Sequence, residues 1–330
     1  MKALVTGATG FVGGHLAEAL RQQGAEVTAL VRSPAKAAHL GSLGVRTVAG
    51  DLHHHPALRE AVRGQDVIYH VAGLVAARDE AEFLQGNREG TRNLLAAIAE
   101  QRGDRVPRFV LVSSMAAGGP APRGRPLTGT EPAAPVTAYG RSKLAGEQVV
   151  RESGLPWTIV RPPMVYGPRD TEVLKVFRIA RRGLAPVFGD GTQELSAVFG
   201  PDLAAALVAA GGSDATVGRT YYACHPEVFS SAEFVLAVGR ALAPAGGGPP
   251  VRVLRLPAAL ARLALTLTGA AARLAGQATI LTPDKANEFF QPAWTGDPTP
   301  FAQDAGWRAT HDLSAGLAET VRWYREHGWL

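Results

Sequence analysis

Lys2-Ala3-Leu4-Val5-Thr6-Gly7-Ala8-Thr9-Gly10-Phe11-Val12-Gly13-Gly14 stands at the start of the chain, and its reading decides the fold. Lys2–Thr6 is a short apolar run of the length of a buried strand. Gly7, Gly10 and Gly13 follow at intervals of three, and His15–Gln23 after them reads as a helix stopped by Gly24. Strand, glycine turn and helix in that order are the setting of a dinucleotide-binding turn. Glycines let the backbone approach a pyrophosphate, and the helix start offers free N–H groups and the positive end of its dipole. Thr9, Phe11 and Val12 fill the turn between the glycines and join them as candidate cofactor contacts.

Outward from this turn, apolar strands alternate with amphipathic stretches. Ala25–Val31, Val45–Ala49, Asp66–His70, Arg108–Ser113 and Thr158–Arg161 read as strands, and Asn87–Gln101 and Ala138–Glu152 as long helices. The alternation predicts an α/β fold with a Rossmann-type doubly wound parallel sheet. Gly118–Pro135, rich in Pro and Gly, reads as an irregular loop over the site. Past Pro162 the alternation weakens. Thr171–Arg182, Pro201–Ala210 and Leu313–His327 read as helices, and Ala243–Pro250 as a break. The expected division is a dinucleotide-binding domain over residues 1–167 and a smaller, mostly helical C-terminal substrate lobe over 168–330, with some of its segments returning to the first domain.

Composition narrows the class. The chain has 330 residues, 46% of them hydrophobic, which excludes global disorder and accommodates about two domains. The formal charge is +5, but the arginines are scattered and never run longer than two, so no clustered nucleic-acid patch is expected. The single cysteine, Cys224, cannot form an internal disulfide, which fits a reducing cytoplasm. Met1–Leu20 lacks the pattern of a signal peptide. The most apolar stretch, Leu254–Leu281, is interrupted by Arg255, Arg262 and Arg273, which argues against a spanning helix. His53-His54-His55 invites a metal reading, but consecutive imidazoles diverge and no other ligands accompany them, so no metal is expected. Cys224 reads as a buried small residue, and Trp294, Trp307, Trp323 and Trp329 as packing anchors of the C-terminal lobe.

Three further segments speak to chemistry. At the end of the second strand stands Val31-Arg32-Ser33-Pro34-Ala35-Lys36, with no carboxylate to bind a free ribose 2′-hydroxyl. Arg32, with Lys36 or Ser33 in support, suits a 2′-phosphate, which favours NADP(H) over NAD(H). Tyr139 and Lys143 lie four apart on a predicted helix and share one face. An ammonium beside a phenol favours tyrosinate and should lower its pKa. The strand Arg108–Val112 ends in Ser113-Ser114, where a hydroxyl faces the ligand crevice of an open α/β sheet.

The combination resembles the extended short-chain dehydrogenase/reductase family, which includes NAD(P)-dependent epimerases and dehydratases. The resemblance rests on the Thr6–Gly13 turn, Gly50-Asp51-Leu52, His70-Val71-Ala72-Gly73 and Asn87-Arg88-Glu89-Gly90-Thr91-Arg92-Asn93-Leu94-Leu95. It continues through Ser113-Ser114, Tyr139 to Lys143, Arg161-Pro162-Pro163-Met164-Val165-Tyr166-Gly167-Pro168 and Trp323-Tyr324. It implies that Gly7, Gly10 and Gly13 cradle the pyrophosphate, that Asp51 and Leu52 contact the adenine, and that Ala72 and Gly73 pass beside the cofactor. Asn87 is then near the cofactor or a proton relay, and Pro162, Pro163 and Val165 follow the strand that lines the nicotinamide. Tyr139 is the acid–base, Lys143 holds the nicotinamide ribose and tunes Tyr139, and Ser114 orients the substrate oxygen, with Ser113 as the competing serine.

Departures from the family pattern point to a branch. Many nucleotide-sugar enzymes carry Asn where Met164 stands and Arg where Leu195 stands, beside which Glu194 would repel a diphosphate. The sequence therefore looks like the dihydroflavonol reductase and 3β-hydroxysteroid dehydrogenase side of the family. It implies hydride transfer between NADP(H) and a carbonyl or secondary alcohol of an apolar small-molecule substrate. The alternative is a nucleotide-sugar epimerase or dehydratase. Leu256–Leu281 suits an apolar lid or a peripheral membrane contact, yet an ordinary packed helix of the lobe is the preferred reading. Family members commonly form homodimers through the two long helices, and Leu94, Leu95, Ile98, Leu144 and Val149 allow such a face or, equally, packing on the sheet.

Overall fold

The computed structural model describes residues 1–101, 106–243, 251–274, 279 and 283–330. Its strands in chain order are β1 (Lys2–Thr6), β2 (Glu26–Val31), β3 (Arg46–Ala49), β4 (Val67–His70), β5 (Arg108–Val112), β6 (Trp157–Val160) and β7 (Met164–Tyr166). There follow β8 (Leu184–Phe188), β9 (Glu194–Leu195), β10 (Ala197–Phe199), β11 (Arg219–Tyr221), β12 (Phe229–Ser230), β13 (Arg252–Leu256) and β14 (Ala293–Trp294). Helices of eight residues or more are α1 (Phe11–Gln22), α2 (His55–Val62), α3 (Gly90–Glu100), α4 (Ala138–Arg151) and α5 (Val173–Ala180). After them come α6 (Gly200–Gly212), α7 (Ser231–Leu242), α8 (Ala258–Leu274) and α9 (Leu313–Glu326).

Seven strands form one sheet in the order β11-β6-β5-β4-β1-β2-β3, every pair parallel. The order reverses direction at β1, so the crevice beyond the carboxyl ends of β1 and β4 is the topological switch point. Alternate residues of β1 serve two cores. Ala3 and Val5 pack on one face with Leu16 and Leu20 of α1 and Leu203 and Leu207 of α6. Leu4 packs on the other with Leu58 of α2, Leu94 and Ile98 of α3 and Val150 of α4. A strand covered on both faces needs apolar residues at every position, which is why Ala3–Val5 shows no polar alternation.

The lobe has its own core of Phe177, Phe199, Phe234, Leu317 and Tyr324. It is not purely helical: β12-β9-β14, β13-β8 and β10-β7 form three small sheets. Segments beyond residue 167 do return to the main sheet. β11 extends its edge beside β6, and α6 packs against α1. Trp307 lies with Phe301 in the core of the main sheet, so it anchors the first domain and not the lobe, whereas Trp323 and Trp329 pack together around Tyr324. Leu94, Leu95 and Ile98 are buried against the sheet in this single chain, which removes them as candidates for a dimer face.

Two boundaries differ from expectation by more than two residues. α1 starts at Phe11, four residues early, because Gly10 takes the extended N-cap conformation and Gly13 and Gly14 continue the helix despite their low propensity. The stretch expected to begin one helix at Asn87 contains a π-helical turn over Gln85–Glu89, after which α3 begins at Gly90. In α8, Ala261 and Leu265 face inward, whereas Leu260, Leu263 and Leu267 face out.

Candidate active site

The site is built on three adjacent strand ends. After β1, the turn into α1 leaves the helix start open: Gly10 makes no side-chain cap, and the first turn holds no acidic residue. Thr9 and Gly10 are exposed there. The free N–H groups of such a terminus need a partner, and an anion supplies one. The glycines are sterically required. A Cβ on Gly13 would lie 2.2 Å from the Gly7 carbonyl oxygen, and one on Gly7 would lie 2.8 Å from the Ala72 nitrogen. The second contact brings Ala72 and Gly73 at the end of β4 against the turn. An open, carboxylate-free helix start lined by glycine fits the pyrophosphate of a dinucleotide. Phe11 and Val12 are half-buried, and the Phe11 ring turns inward, 5.5 Å from that of His15.

Beneath this turn lies a closed polar relay. The Thr6 hydroxyl bonds His70 Nδ1 at 2.8 Å, and His70 Nε2 bonds Thr91 Oγ1 at 3.0 Å. Thr91 gives its own hydrogen to the Asn87 carbonyl at 2.6 Å, so it accepts from Nε2–H and fixes the tautomer. Burial, with the nearby Lys143 charge, lowers the His70 pKa to about 3, so the ring is neutral. Asn87 accepts from Leu74 N at 2.7 Å and donates to Leu74 O at 3.1 Å and to Ser142 Oγ at 2.9 Å. It thereby holds the backbone after Gly73 against α4.

α4 carries Tyr139, Lys143 and Glu147 one turn apart. Thr137 caps the helix, accepting from Gly140 N at 3.2 Å. Burial raises the Tyr139 phenol to about 12, while hydrogen bonding with Ser114 pulls it down and the Glu288 carboxylate pushes it up. The Phe83 ring lies 5.8 Å from that of Tyr139. Lys143 Nζ donates to the Val112 carbonyl at 2.7 Å, and a Cβ on Gly73 would come within 3.4 Å of it. Burial lowers its pKa to about 8, against the pull of Glu147. The expected acidification of Tyr139 by Lys143 is thus not found. The ammonium is committed to a carbonyl, and desolvation governs the phenol.

Ser113 and Ser114 point to different partners. Ser113 donates to Glu147 Oε1 at 2.5 Å. Glu147 is fully buried and bidentate with Arg161, at 2.8 and 2.7 Å, and also accepts from Arg151 at 3.0 Å. Burial alone would raise this carboxyl, but Arg161 holds it below the usual range. Ser113, expected as a cofactor contact and as the competing serine, therefore braces the ion pair. Ser114 caps the short helix Met115–Gly118 and stands beside Tyr139. Pro162 accepts from Met115 N at 2.9 Å, joining the ends of β5 and β6, and Pro163 and Val165 lie half-buried just beyond.

The adenosine end is more open. Arg32 and Lys36 are exposed beyond β2. Asp51 accepts from His53 N at 2.8 Å. Leu52 packs on Gly90, where a Cβ would lie 2.8 Å from its Cδ1.

Three residues at the site were not singled out from the sequence. Glu147 continues the spacing of Tyr139 and Lys143, a signal that was there to read. Asp284 and Glu288 had none. Asp284 accepts from Ala138 N at 2.7 Å, and Glu288 accepts from the Thr137 hydroxyl at 2.9 Å. Glu288, which also pairs with Lys285, lies close enough for its carboxylate to act on the Tyr139 phenol. The loop 118–135 is tied down by Ala121 and Leu127 to the segment around β14 and by Gly124 N to Glu194 at 2.9 Å. Cys224 is buried, its thiol donating to the Gly296 carbonyl at 3.2 Å and raised to about 12. His55 pairs with Glu100, and no group of three or more metal-ligating side chains converges among the described residues.

A family model described as the NAD dependent epimerase/dehydratase family matches residues 3–224. The ceramide reductase of Caulobacter vibrioides is 34% identical over 99% of this chain and 95% of that protein. A 4-hydroxy-2-methyl-3-oxo-4-farnesyl-3,4-dihydroquinoline-1-oxide ketoreductase of Stigmatella aurantiaca is 37% identical over 53% of each chain. The crystal structure of gox2253 superposes with a TM-score of 0.80 at 25% identity, covering 99% of this chain and 98% of the other.

Proposed function

We propose that this chain, which belongs to the NAD dependent epimerase/dehydratase family and so is an enzyme that takes a nicotinamide dinucleotide, interconverts a carbonyl and a secondary alcohol on a largely apolar substrate, with NADP(H) as its cofactor. The observation that carries the reading is the meeting of Ser114 and Tyr139 at the crevice, with Lys143 buried one turn below.

When bound, the reduced nicotinamide supplies a hydride. Tyr139 is protonated at neutral pH, so it gives a proton to the carbonyl oxygen as that atom gains charge. Ser114 donates a hydrogen bond to the same oxygen and stabilises the charge developing there. Lys143 is near its titration point, and its ammonium holds a positive charge under the reacting groups. Arg32 and Lys36 would hold a ribose 2′-phosphate.

Carboxylates near the site support an uncharged substrate. Asp284 and Glu288 stand at the start of α4, and Met164 and Leu195 stand where nucleotide-sugar enzymes carry polar groups. Two relatives are named for reduction of molecules with long apolar chains, which supports the same class.

The test is NADPH consumption across a series of ketones of increasing chain length. Turnover should rise with chain length and fall roughly a thousandfold in Tyr139→Phe, with NADPH affinity retained. Near-normal turnover in that variant overturns the assignment. Conversion of a nucleotide-sugar without net NADPH change establishes the epimerase alternative instead. Arg32→Ala should raise KM for NADPH at least about tenfold and leave that for NADH unchanged.

A further inference from the structure

The charge of the chain is unevenly placed. Residues 234–283 contain the five arginines Arg240, Arg252, Arg255, Arg262 and Arg273 and no Asp or Glu. The rest of the chain carries 29 basic and 29 acidic residues, so the whole formal charge of +5 resides in this one segment. α8 lies within it, and its arrangement is the reverse of an ordinary surface helix. Leu260, Leu263 and Leu267 are 59%, 55% and 62% exposed, at a spacing that aligns them in one stripe. Ala261 and Leu265 make the inward contacts. Leu254, just before the helix, is also about half exposed.

We propose that this face of α8, together with the exposed Arg252, Arg255 and Arg262 of the same segment, docks on an anionic lipid bilayer. An apolar stripe on a segment that carries cations and no carboxylates has the chemistry of a helix lying in the headgroup region, where leucines enter the acyl boundary and arginines meet lipid phosphates. Arg252, Arg255 and Arg262 are exposed there. Arg255 Nε is held by the Asp190 carbonyl at 2.9 Å, and Arg262 sits 5.1 Å over the Phe290 ring. The next carboxylates along the chain, Asp284 and Glu288, are engaged at the start of α4. A second copy is a poor occupant, since two such faces would bring like charges together. No described helix is long and apolar enough to cross a membrane, so the contact is peripheral.

The docking stands independently of the reaction and is tested without it. The full chain with NADPH is sedimented with vesicles of phosphatidylcholine, or of phosphatidylcholine and phosphatidylglycerol in equal parts. Binding is expected to the mixed vesicles, to weaken as salt is raised, and to fall at least about tenfold in Leu263→Gln/Leu267→Gln. Thermal melting and NADPH fluorescence titration check that this variant folds. Should it not, Arg252→Gln/Arg255→Gln is expected to lose the preference for phosphatidylglycerol. Three results each overturn the proposal: no binding to mixed vesicles, equal binding by the folded variants, or a dimer on gel filtration that the leucine changes convert to monomer.

Discussion

Gly13→Ala is the sharpest probe of the dinucleotide turn. The added methyl would lie 2.2 Å from the Gly7 oxygen, 2.7 Å from the Gly7 carbonyl carbon and 2.9 Å from the Ala8 Cα, all of them backbone atoms. Ordinary contact begins near 3.4 Å, so α1 must withdraw from the turn by roughly 1 Å, and a shift of that size costs on the order of a hundredfold where geometry is critical. The withdrawal also loosens the bond from Gly10 N to Gly7 O, now 3.0 Å. NADPH affinity, measured by fluorescence titration at a temperature where the variant is folded, should therefore weaken about a hundredfold. Gly212→Ala is the control: nothing lies within 4 Å of its added methyl, so affinity should not change. Affinity within threefold of the parent in Gly13→Ala, with unchanged melting, would refute the reasoning, because the helix start would then not be what holds the cofactor.

The two serines should separate by readout. Ser114→Ala lowers turnover roughly a hundredfold and removes the cap of a four-residue helix, about 0.5–1 kcal/mol, whereas Ser113→Ala, which strips a hydrogen bond from buried Glu147, lowers the unfolding free energy by about 1–3 kcal/mol and spares chemistry; a loss of turnover in Ser113→Ala with none in Ser114→Ala would exchange their roles. Glu147→Gln leaves the Arg161 guanidinium buried without its counter-charge and should cost about 3–5 kcal/mol in denaturant unfolding. As pH rises through about 8, Lys143 loses its proton while Tyr139, at about 12, keeps its own, so the rate of reduction should fall above about 8; a limb that persists in Lys143→Arg would assign it to another group. Glu288→Gln removes a charge that raises the phenol, so the alkaline limb for alcohol oxidation should move to lower pH, as a pH–rate profile will report.

The main sheet was legible because its physics is local. Ala3–Val5 and Val67–His70 are short apolar runs, and the glycines after Thr6 can be explained by few other structures. Tyr139 and Lys143 were legible through helical spacing, and the strand end located the serine pair without choosing between its members. What spacing could not show was depth. Whether Lys143 would acidify Tyr139 depends on how much water each group loses and on the Val112 carbonyl, which no neighbour in sequence announces. Asp284 and Glu288 reach the start of α4 from about 150 positions away, a distance across which a single sequence carries no pairing signal. Trp307 was misassigned for the same reason, since position late in the chain stood in for position in space. In α8, an apolar composition matched the expectation of ordinary packing, and only the burial pattern revealed which leucines face out.

The interleaving of β11, α6 and Trp307 with the main sheet bears on how the substrate lobe can be exchanged in engineering. Cutting the chain after residue 167 would strip an edge strand, a covering helix and an aromatic plug from the nucleotide half, leaving Leu16 and Leu20 against solvent. Recombination therefore has to follow space and not order along the polypeptide. Blocks such as 173–188 join the small core without entering the large one, and they suit transfer between relatives when moved together with β13, the partner of β8.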